Sequence, residues 1–188
     1  MTERFDLSSL KNRLLLQAPS ESPEGTRVAS VAIIINPEDR GGSVLLIRRT
    51  ERGDDPWSGQ IGFPGGHKSP EDHNLIETAF RETEEEVGIR LNRHELLGSL
   101  PFATTHWRRV QVAPFVFALK SNVTVKLNCE VADSFWVPLA ELRRLEVKRH
   151  QVHPEEGTVE ADSYDFQGRV IWGLTFRILN LLLDRRLA

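Results

Sequence analysis

One stretch limits the folds open to this chain more than any other: Asn74 to Gly88, read as NLIETAFRETEEEVG. It reads as a helix from about Asn74 to Val87, with Gly88 where a C-cap glycine belongs. At about 100° per residue, Ile76, Ala79, Phe80, Thr83 and Val87 share a stripe roughly 100° wide that must face a core. Glu82, Glu85 and Glu86 fan out along one flank of that stripe, and Glu77 and Glu84 lie on the other. Arg81 sits between them, one turn before Glu85 and within its reach. Two carboxylates ~4 Å apart repel by about 4 kcal/mol at an effective dielectric near 20. Solvent relaxes most of that on an exposed face but less at a partly buried edge, where a bound cation would resolve it. Carboxylate oxygens suit a hard ion such as Mg²⁺ or Mn²⁺. Taken alone, such a run is also what a solvated helix face looks like.

The preceding loop separates these two readings. Phe63-Pro64-Gly65-Gly66 offers two glycines that let backbone carbonyls approach a metal or phosphate. Gly65-Gly66 followed by Arg81-Glu82-x-x-Glu85-Glu86-x-Gly88-Ile89 resembles the Nudix box, G-x5-E-x7-R-E-U-x-E-E-x-G-U with U apolar. Thr83 fills one apolar position, Asp72 replaces the first glutamate, and one extra residue separates Asp72 from Arg81. Asp72 is thereby left without an assigned role.

Resemblance to the Nudix hydrolases implies an α/β/α sandwich with a mixed β-sheet, extending from roughly Arg27 to Leu142 with weaker support beyond. It implies metal ligation by Glu82, Glu85 and Glu86, with the carbonyl of Gly65 as a further ligand. It implies that Arg81 orients a glutamate instead of touching substrate. Glu130 stands before Trp136 at the spacing of a further metal-binding or basic glutamate in some Nudix enzymes; an ordinary loop acid is the other reading. The implied reaction is attack of water on one phosphorus of a diphosphate, assisted by Mg²⁺ or Mn²⁺, with Glu82 or Glu130 accepting the proton.

The rest of the chain fits around that core. Asp6 could cap a first helix with Leu7, Leu10 and Leu14 at helical spacing, and Ala18 to Gly25 reads as a linker. This gives an N-terminal helix and linker over 1–25 and a hydrolase domain over 26–188. Val28 to Ile35 reads as a buried strand, Asn36 to Gly42 as a turn and Val44 to Ile47 as the returning strand. Arg52 to Gly66 reads as a long loop. Val110 to Leu119 and Phe135 to Val137 read as strands, Pro138 to Leu142 as a short helix, and Tyr164 and Phe166 as strand residues before a turn at Gly168. Leu174 to Leu183 closes the chain as an amphipathic helix. Without regular βαβ alternation, the pattern favours a mixed sheet with helices packed on it.

Charge and composition narrow the function. A net charge of −3 argues against a dedicated nucleic-acid binder. No apolar run approaches a membrane span, no signal peptide is visible, and a single cysteine, Cys129, favours a reducing compartment, so a cytoplasmic location is expected. Cys129 reads as a small core residue. Gly62 to Ser69 lacks the glycine a P-loop needs before Lys68, and Ser58-Gly59 is not a nucleophile elbow.

Within the family, the Asp72 variant resembles the coenzyme A pyrophosphatase branch, as do Val112 to Val116 and Ile171 to Thr175. The branch signature before the box is matched by Leu45, Leu46, Arg49, Thr50, Gly59 and Phe63 to Gly66. Asp54 and Asp55 stand where a second arginine is expected, with Arg52 nearby as a substitute. The expected substrate is coenzyme A or a derivative, with ADP-ribose or another nucleoside diphosphate derivative as the alternative. Candidate substrate contacts are Arg49, Arg52, Phe63, His106 and Arg108, with Arg109 beside them. The expected partner is thus a small diphosphate, not nucleic acid or membrane, and a homodimer is allowed. Two readings from other classes are a non-catalytic Nudix-fold module that senses a nucleotide and a structural metal-binding domain.

Overall fold

The structure is a computed structural model that describes residues 7–16, 27–38, 41–53, 57–105, 110–154 and 157–185. In chain order the described residues form α1 (Leu7–Lys11), β1 (Val28–Asn36), β2 (Ser43–Arg49), β3 (Ile61–Gly62), β4 (Gly65–His67), α2 (Leu75–Val87), β5 (Leu96–Ser99), β6 (Ala103–Thr104) and β7 (Gln111–Ala118). They continue with β8 (Val131–Pro138), α3 (Leu139–Leu142), β9 (Lys148–Val152), β10 (Val159–Phe166), β11 (Arg169–Trp172) and α4 (Gly173–Leu183).

The main sheet runs β3-β2-β1-β7-β5, with β4 also paired to β1, β6 to β7 and β8 to β2. β1 and β7 are parallel over their whole length, from Val28 opposite Gln111 to Ile35 opposite Ala118. The other pairings in this sheet are antiparallel, so the sheet is mixed. The nearly continuous apolar run of β1, interrupted only by the buried Ser30, matches burial on both faces. Ala32 and Ile34, with Leu45 and Ile47 of β2 and Phe115 and Phe117 of β7, meet Ala79 and Val87 of α2. The alternate residues Ile33, Ile35, Val44, Leu46 and Val116 meet Phe176, Leu179 and Leu182 of α4. Helix, sheet and helix make the three layers of the expected α/β/α sandwich.

A second sheet, β11-β10-β9, flanks α4. Tyr164 of β10 packs its ring 4.7 Å from that of Phe176 and donates a 2.7 Å hydrogen bond to Asn180 Oδ1, which fixes α4 against the core. At the N-terminal end, Leu10 and Leu14 are buried in the same core, and Leu15 exchanges backbone hydrogen bonds with Ser99. Residues 7–16 therefore pack on the sandwich. Asp6 and the 18–25 stretch lie outside the described residues.

Several expectations need correction. The Arg52–Gly66 segment is not wholly loop, because β3 pairs with β2 through Ile61 and Gly62, and β4 begins at Gly65. Strand β8 starts at Val131, earlier than the Phe135–Val137 core suggests, because it follows β2 along its full length. Cys129 is exposed, not core, since it stands in the loop before β8. Strands β5, β9 and β11 escape a reading by apolar run because they are short or polar. Among the described residues no helix is long and apolar enough to cross a membrane.

Candidate active site

Helix α2 is framed by its own sequence. The Asn74 side chain accepts hydrogen bonds from the backbone N–H groups of Ile76 (3.1 Å) and Glu77 (3.0 Å), and Glu77 accepts one from His73 N–H (2.9 Å). Gly88 ends the helix at φ 68° and donates to the Glu84 carbonyl. Its buried residues are Thr78, Ala79, Thr83, Glu86 and Val87, while Ile76 and Phe80 are only half buried. The buried face is thus turned from the stripe read on the wheel toward the Glu82–Glu86 flank. The cause is β4, which lies against that flank.

Two glycines make this approach feasible. Gly65, at φ 153°, would place a Cβ 2.2 Å from the Ser30 carbonyl oxygen. A Cβ on Gly66 would stand 2.4 Å from the Glu82 carboxyl carbon. With both side chains absent, Gly65 N–H reaches Glu86 Oε2 at 2.9 Å. Glu86 is 1% exposed, and its other oxygen lies 3.4 Å from Arg49 Nη1. Burial pushes its carboxyl up to about 7, against the pull of Gly65 N–H and Arg49. Burial also raises Glu82, although Arg81 opposes it. Glu130 adds negative charge against both.

Arg81 is the hub of the cluster. Its Nη1 lies 2.8 Å from Glu82 Oε1 and 3.2 Å from Glu85 Oε2, and its Nη2 donates to the His67 carbonyl at 3.1 Å. The other face of the guanidinium grips Asp72 with two bonds, Nε to Oδ1 at 3.1 Å and Nη2 to Oδ2 at 2.9 Å. Asp72 is 6% exposed, also accepts from Ser69 N–H and the Thr78 hydroxyl, and is held well below the usual carboxylate range by Arg81. Asp72 is the residue that sequence reasoning left without a role. The signal was there, because Gly66 and Asp72 keep the first spacing of the box. The extra residue is harmless because α2 begins only at Leu75, so the short link His73–Asn74 sets the distance to Arg81.

A cavity of about 460 Å³ opens beside these acids. Glu82, Glu86, Glu130, Arg49, Gly65 and Gly66 line one part of it. Much of the remaining lining is apolar, built by Val31, Ile61, Phe63, Val112, Leu174 and Ile178. Arg49 and Phe63 thus lie where substrate contacts were expected. Arg52 does not line the cavity: its guanidinium donates to the Cys129 carbonyl at 3.2 Å and lies 3.8 Å from Glu130 Oε1. Glu85 also stands outside the lining, half exposed against Arg81. His106, Arg108 and Arg109 lie outside the described residues, as do Asp54 and Asp55. Trp57 and His67, which the sequence did not single out, line the cavity with ring centroids 6.1 Å apart.

The donor set suits a hard divalent cation. A buried carboxylate with a raised pKa, two further carboxylates coupled to it and a side-chain-free backbone at Gly65-Gly66 all offer hard oxygen donors. Arg81 engages Glu82 and Glu85, and among the described residues no three His, Cys, Asp or Glu side chains are gathered as a ready metal cage.

Comparison with known proteins agrees with this geometry. The NUDIX domain model matches residues 25–158. The Nudix hydrolase NudL of Yersinia enterocolitica is 34% identical over 180 residues, covering 94% of this chain and 91% of its own. NudL of Photorhabdus laumondii is 33% identical over 185 residues, covering 95% and 96%. Among solved structures, the MutT protein of Methanosarcina mazei Go1 superposes with a TM-score of 0.51 at 26% identity, over 67% of this chain and 86% of its own. A MutT/nudix family protein of Enterococcus faecalis gives a TM-score of 0.58 at 13% identity, over 95% and 69%, a likeness of fold alone.

Proposed function

Because the chain belongs to the Nudix family and is a diphosphate hydrolase, we propose that it cleaves coenzyme A or one of its derivatives with the help of Mg²⁺ or Mn²⁺. The observation that carries this reading is the mixed lining of the cavity, which joins carboxylates to a broad set of apolar side chains. Coenzyme A presents a diphosphate joined to a long, weakly polar pantetheine arm, and such an arm matches Val31, Ile61, Val112, Leu174 and Ile178. The branch-like segments around Val112 to Val116 and Ile171 to Thr175 supply two of those positions. The hydrolase domain, in this reading, spans 26–188, with 1–25 as an N-terminal extension, and works in the cytoplasm.

Glu82, Glu86 and the Gly65 carbonyl would hold the ion, and Glu85 would join them only by leaving Arg81. When bound, such an ion neutralises phosphoryl oxygens and acidifies the attacking water. Asp72 fixes Arg81, and Arg81 fixes Glu82, so the first carboxylate is oriented before substrate arrives. Glu130 accepts the proton from water: it lines the cavity with its carboxylate half exposed, whereas Glu82 would be taken up by the ion. Arg49, between Glu86 and the cavity, holds a phosphoryl oxygen. The products are a phosphopantetheine and adenosine 3′,5′-bisphosphate.

The test is a panel of coenzyme A, acetyl-coenzyme A, dephospho-coenzyme A and ADP-ribose with Mg²⁺ or Mn²⁺, products identified by mass. The highest kcat/KM should fall to a coenzyme A compound, and a chelator should stop turnover. Better cleavage of ADP-ribose would overturn the substrate and leave the chemistry standing.

A further inference from the structure

A second hollow of about 480 Å³ adjoins the cavity, lined by Arg27, Val28, His67 and Lys68. His67 lines both spaces, so the two share a wall. The backbone here is fixed from three directions. His67 pairs with Ala29 across β1 and β4, Lys68 N–H donates to the Val28 carbonyl at 3.0 Å, and Gln111 N–H donates to the Arg27 carbonyl at 3.0 Å. The His67 carbonyl is further held by Arg81, the hub of the acidic cluster. A ligand group in this hollow would therefore sit at a set offset from the carboxylates.

Charge distinguishes this corner from the rest of the site. Arg49 stands beside Glu86 in the acidic centre, and Arg52 is engaged by Glu130 and the Cys129 carbonyl. Among the described residues, the side chains of Arg27 and Lys68 have no carboxylate partner. Two cations thus line a hollow that shares His67 with the cavity holding Glu82, Glu86 and Glu130. A substrate that carries a second anionic group, away from the bond that is cut, would gain from that arrangement. A phosphate monoester carries about −1.5 to −2 charges at neutral pH and has three acceptor oxygens for such donors.

We propose that Arg27 and Lys68, with the His67 ring as the shared wall, form a subsite for a phosphate monoester on the substrate, remote from the diphosphate. The inference rests on the diphosphate-hydrolase reading of the acidic centre and deepens it, because it selects substrates bearing a third phosphate.

Binding separates this proposal from the choice of substrate. Adenosine 3′,5′-bisphosphate, 5′-AMP and inorganic phosphate are titrated by calorimetry at low ionic strength into the full chain. The bisphosphate should bind about tenfold more tightly than 5′-AMP. In Arg27→Ala/Lys68→Ala that ratio should fall to near one, while Arg93→Ala, a remote exposed cation, keeps it. If the double variant does not fold, as judged by circular dichroism, Arg27→Gln and Lys68→Gln singly should each lower the ratio about threefold. A ratio near one in the wild type, a ratio that survives in the variants, or inorganic phosphate binding as tightly as the bisphosphate overturns the subsite. Selective binding lost in the variants, in a protein that does not cleave coenzyme A, upholds the subsite and dismisses only the coenzyme A reading.

Discussion

Glu86 and Glu84 are the same residue on the same helix, two positions apart, and they live in different worlds. Glu86 is 1% exposed, bonded to Gly65 N–H beneath β4, with its carboxyl raised to about 7. Glu84 is exposed and pairs with Arg90 at 2.6 Å. Composition treats these acids as equals, and even the helical wheel separates them only as left and right flanks. The difference is made by a short strand that covers one flank and leaves the other to water. A carboxylate under cover is strained and available for chemistry; one in water is neither.

The largest effect that could break this comparison is on rate. Glu86→Gln should lower kcat/KM by about a thousandfold, while metal-free protein at pH 7.5 melts no lower than wild type and by this argument higher. The variant relieves a buried charge at the same time as it removes a ligand. A variant that loses activity and stability together would show that Glu86 is held for the fold.

Next in size is the brace behind the cluster. Asp72→Ala removes the two-bond brace from Arg81 and should destabilise the protein by about 3 kcal/mol, with a fall in rate as Glu82 loses its support. Arg81→Ala should lower melting temperature and rate together. A rate loss in Arg81→Ala at unchanged melting temperature would mean that Arg81 acts on substrate, not on its neighbours.

Acidity offers a third measurement. Because folding raises the Glu86 pKa from about 4.5 to about 7, its protonated form is favoured in the fold, and its contribution is lost as pH rises through that window. Metal-free wild type should lose about 3 kcal/mol of stability between pH 4.5 and 7 from this group. Glu86→Gln should flatten the slope, and Mg²⁺ or Mn²⁺ should restore stability most at the higher pH. Asp72 works in the opposite sense: its lowered pKa gives stability that is present above about pH 4 and lost as pH falls further. If metal-free stability rises steadily from pH 4.5 to 7, the charge is not trapped as described.

The smallest effect completes the comparison. Glu84→Gln breaks one exposed ion pair and should change stability by less than about 0.5 kcal/mol and leave kcat/KM within about twofold. Equal losses in Glu84→Gln and Glu86→Gln would remove the distinction altogether.

What could be read beforehand was what local pattern dictates. The apolar run of β1, the limits of α2 and the closing helix α4 all follow from periodicity and caps. The carboxylates Glu82 and Glu86 and the glycines beneath them follow from a contiguous motif. What could not be read depended on distant parts meeting. Asp72 finds Arg81 only because the link into α2 absorbs an extra residue. Glu86 is buried only because β4 pairs with β1 and lies on it. Arg52 reads as a free cation in sequence, yet the β2–β8 pairing brings Glu130 and the Cys129 carbonyl beside it. Strand β9, Lys-Arg-His-Gln-Val, has too little apolar alternation to announce itself, and exists because β10 offers a ladder.

The parallel pairing of β1 with β7 also sets the order in which a growing polypeptide can become a working molecule. By the time α2 has left the ribosome, the glycine pair and three of the glutamates have been made, yet the neighbour that β1 needs begins only at Gln111. Glu130 arrives later still, and β8, which carries on from it along β2, ends at Pro138. Until β7 is complete at Ala118, Ile33, Ile34 and Ile35 form an open apolar edge, the sort of surface that attracts chaperones or other unfinished chains. Chains that stop short of Ala118 would expose that edge and lack Glu130 as well. A truncation series during translation would show protection from protease appearing abruptly after that point, not building up residue by residue.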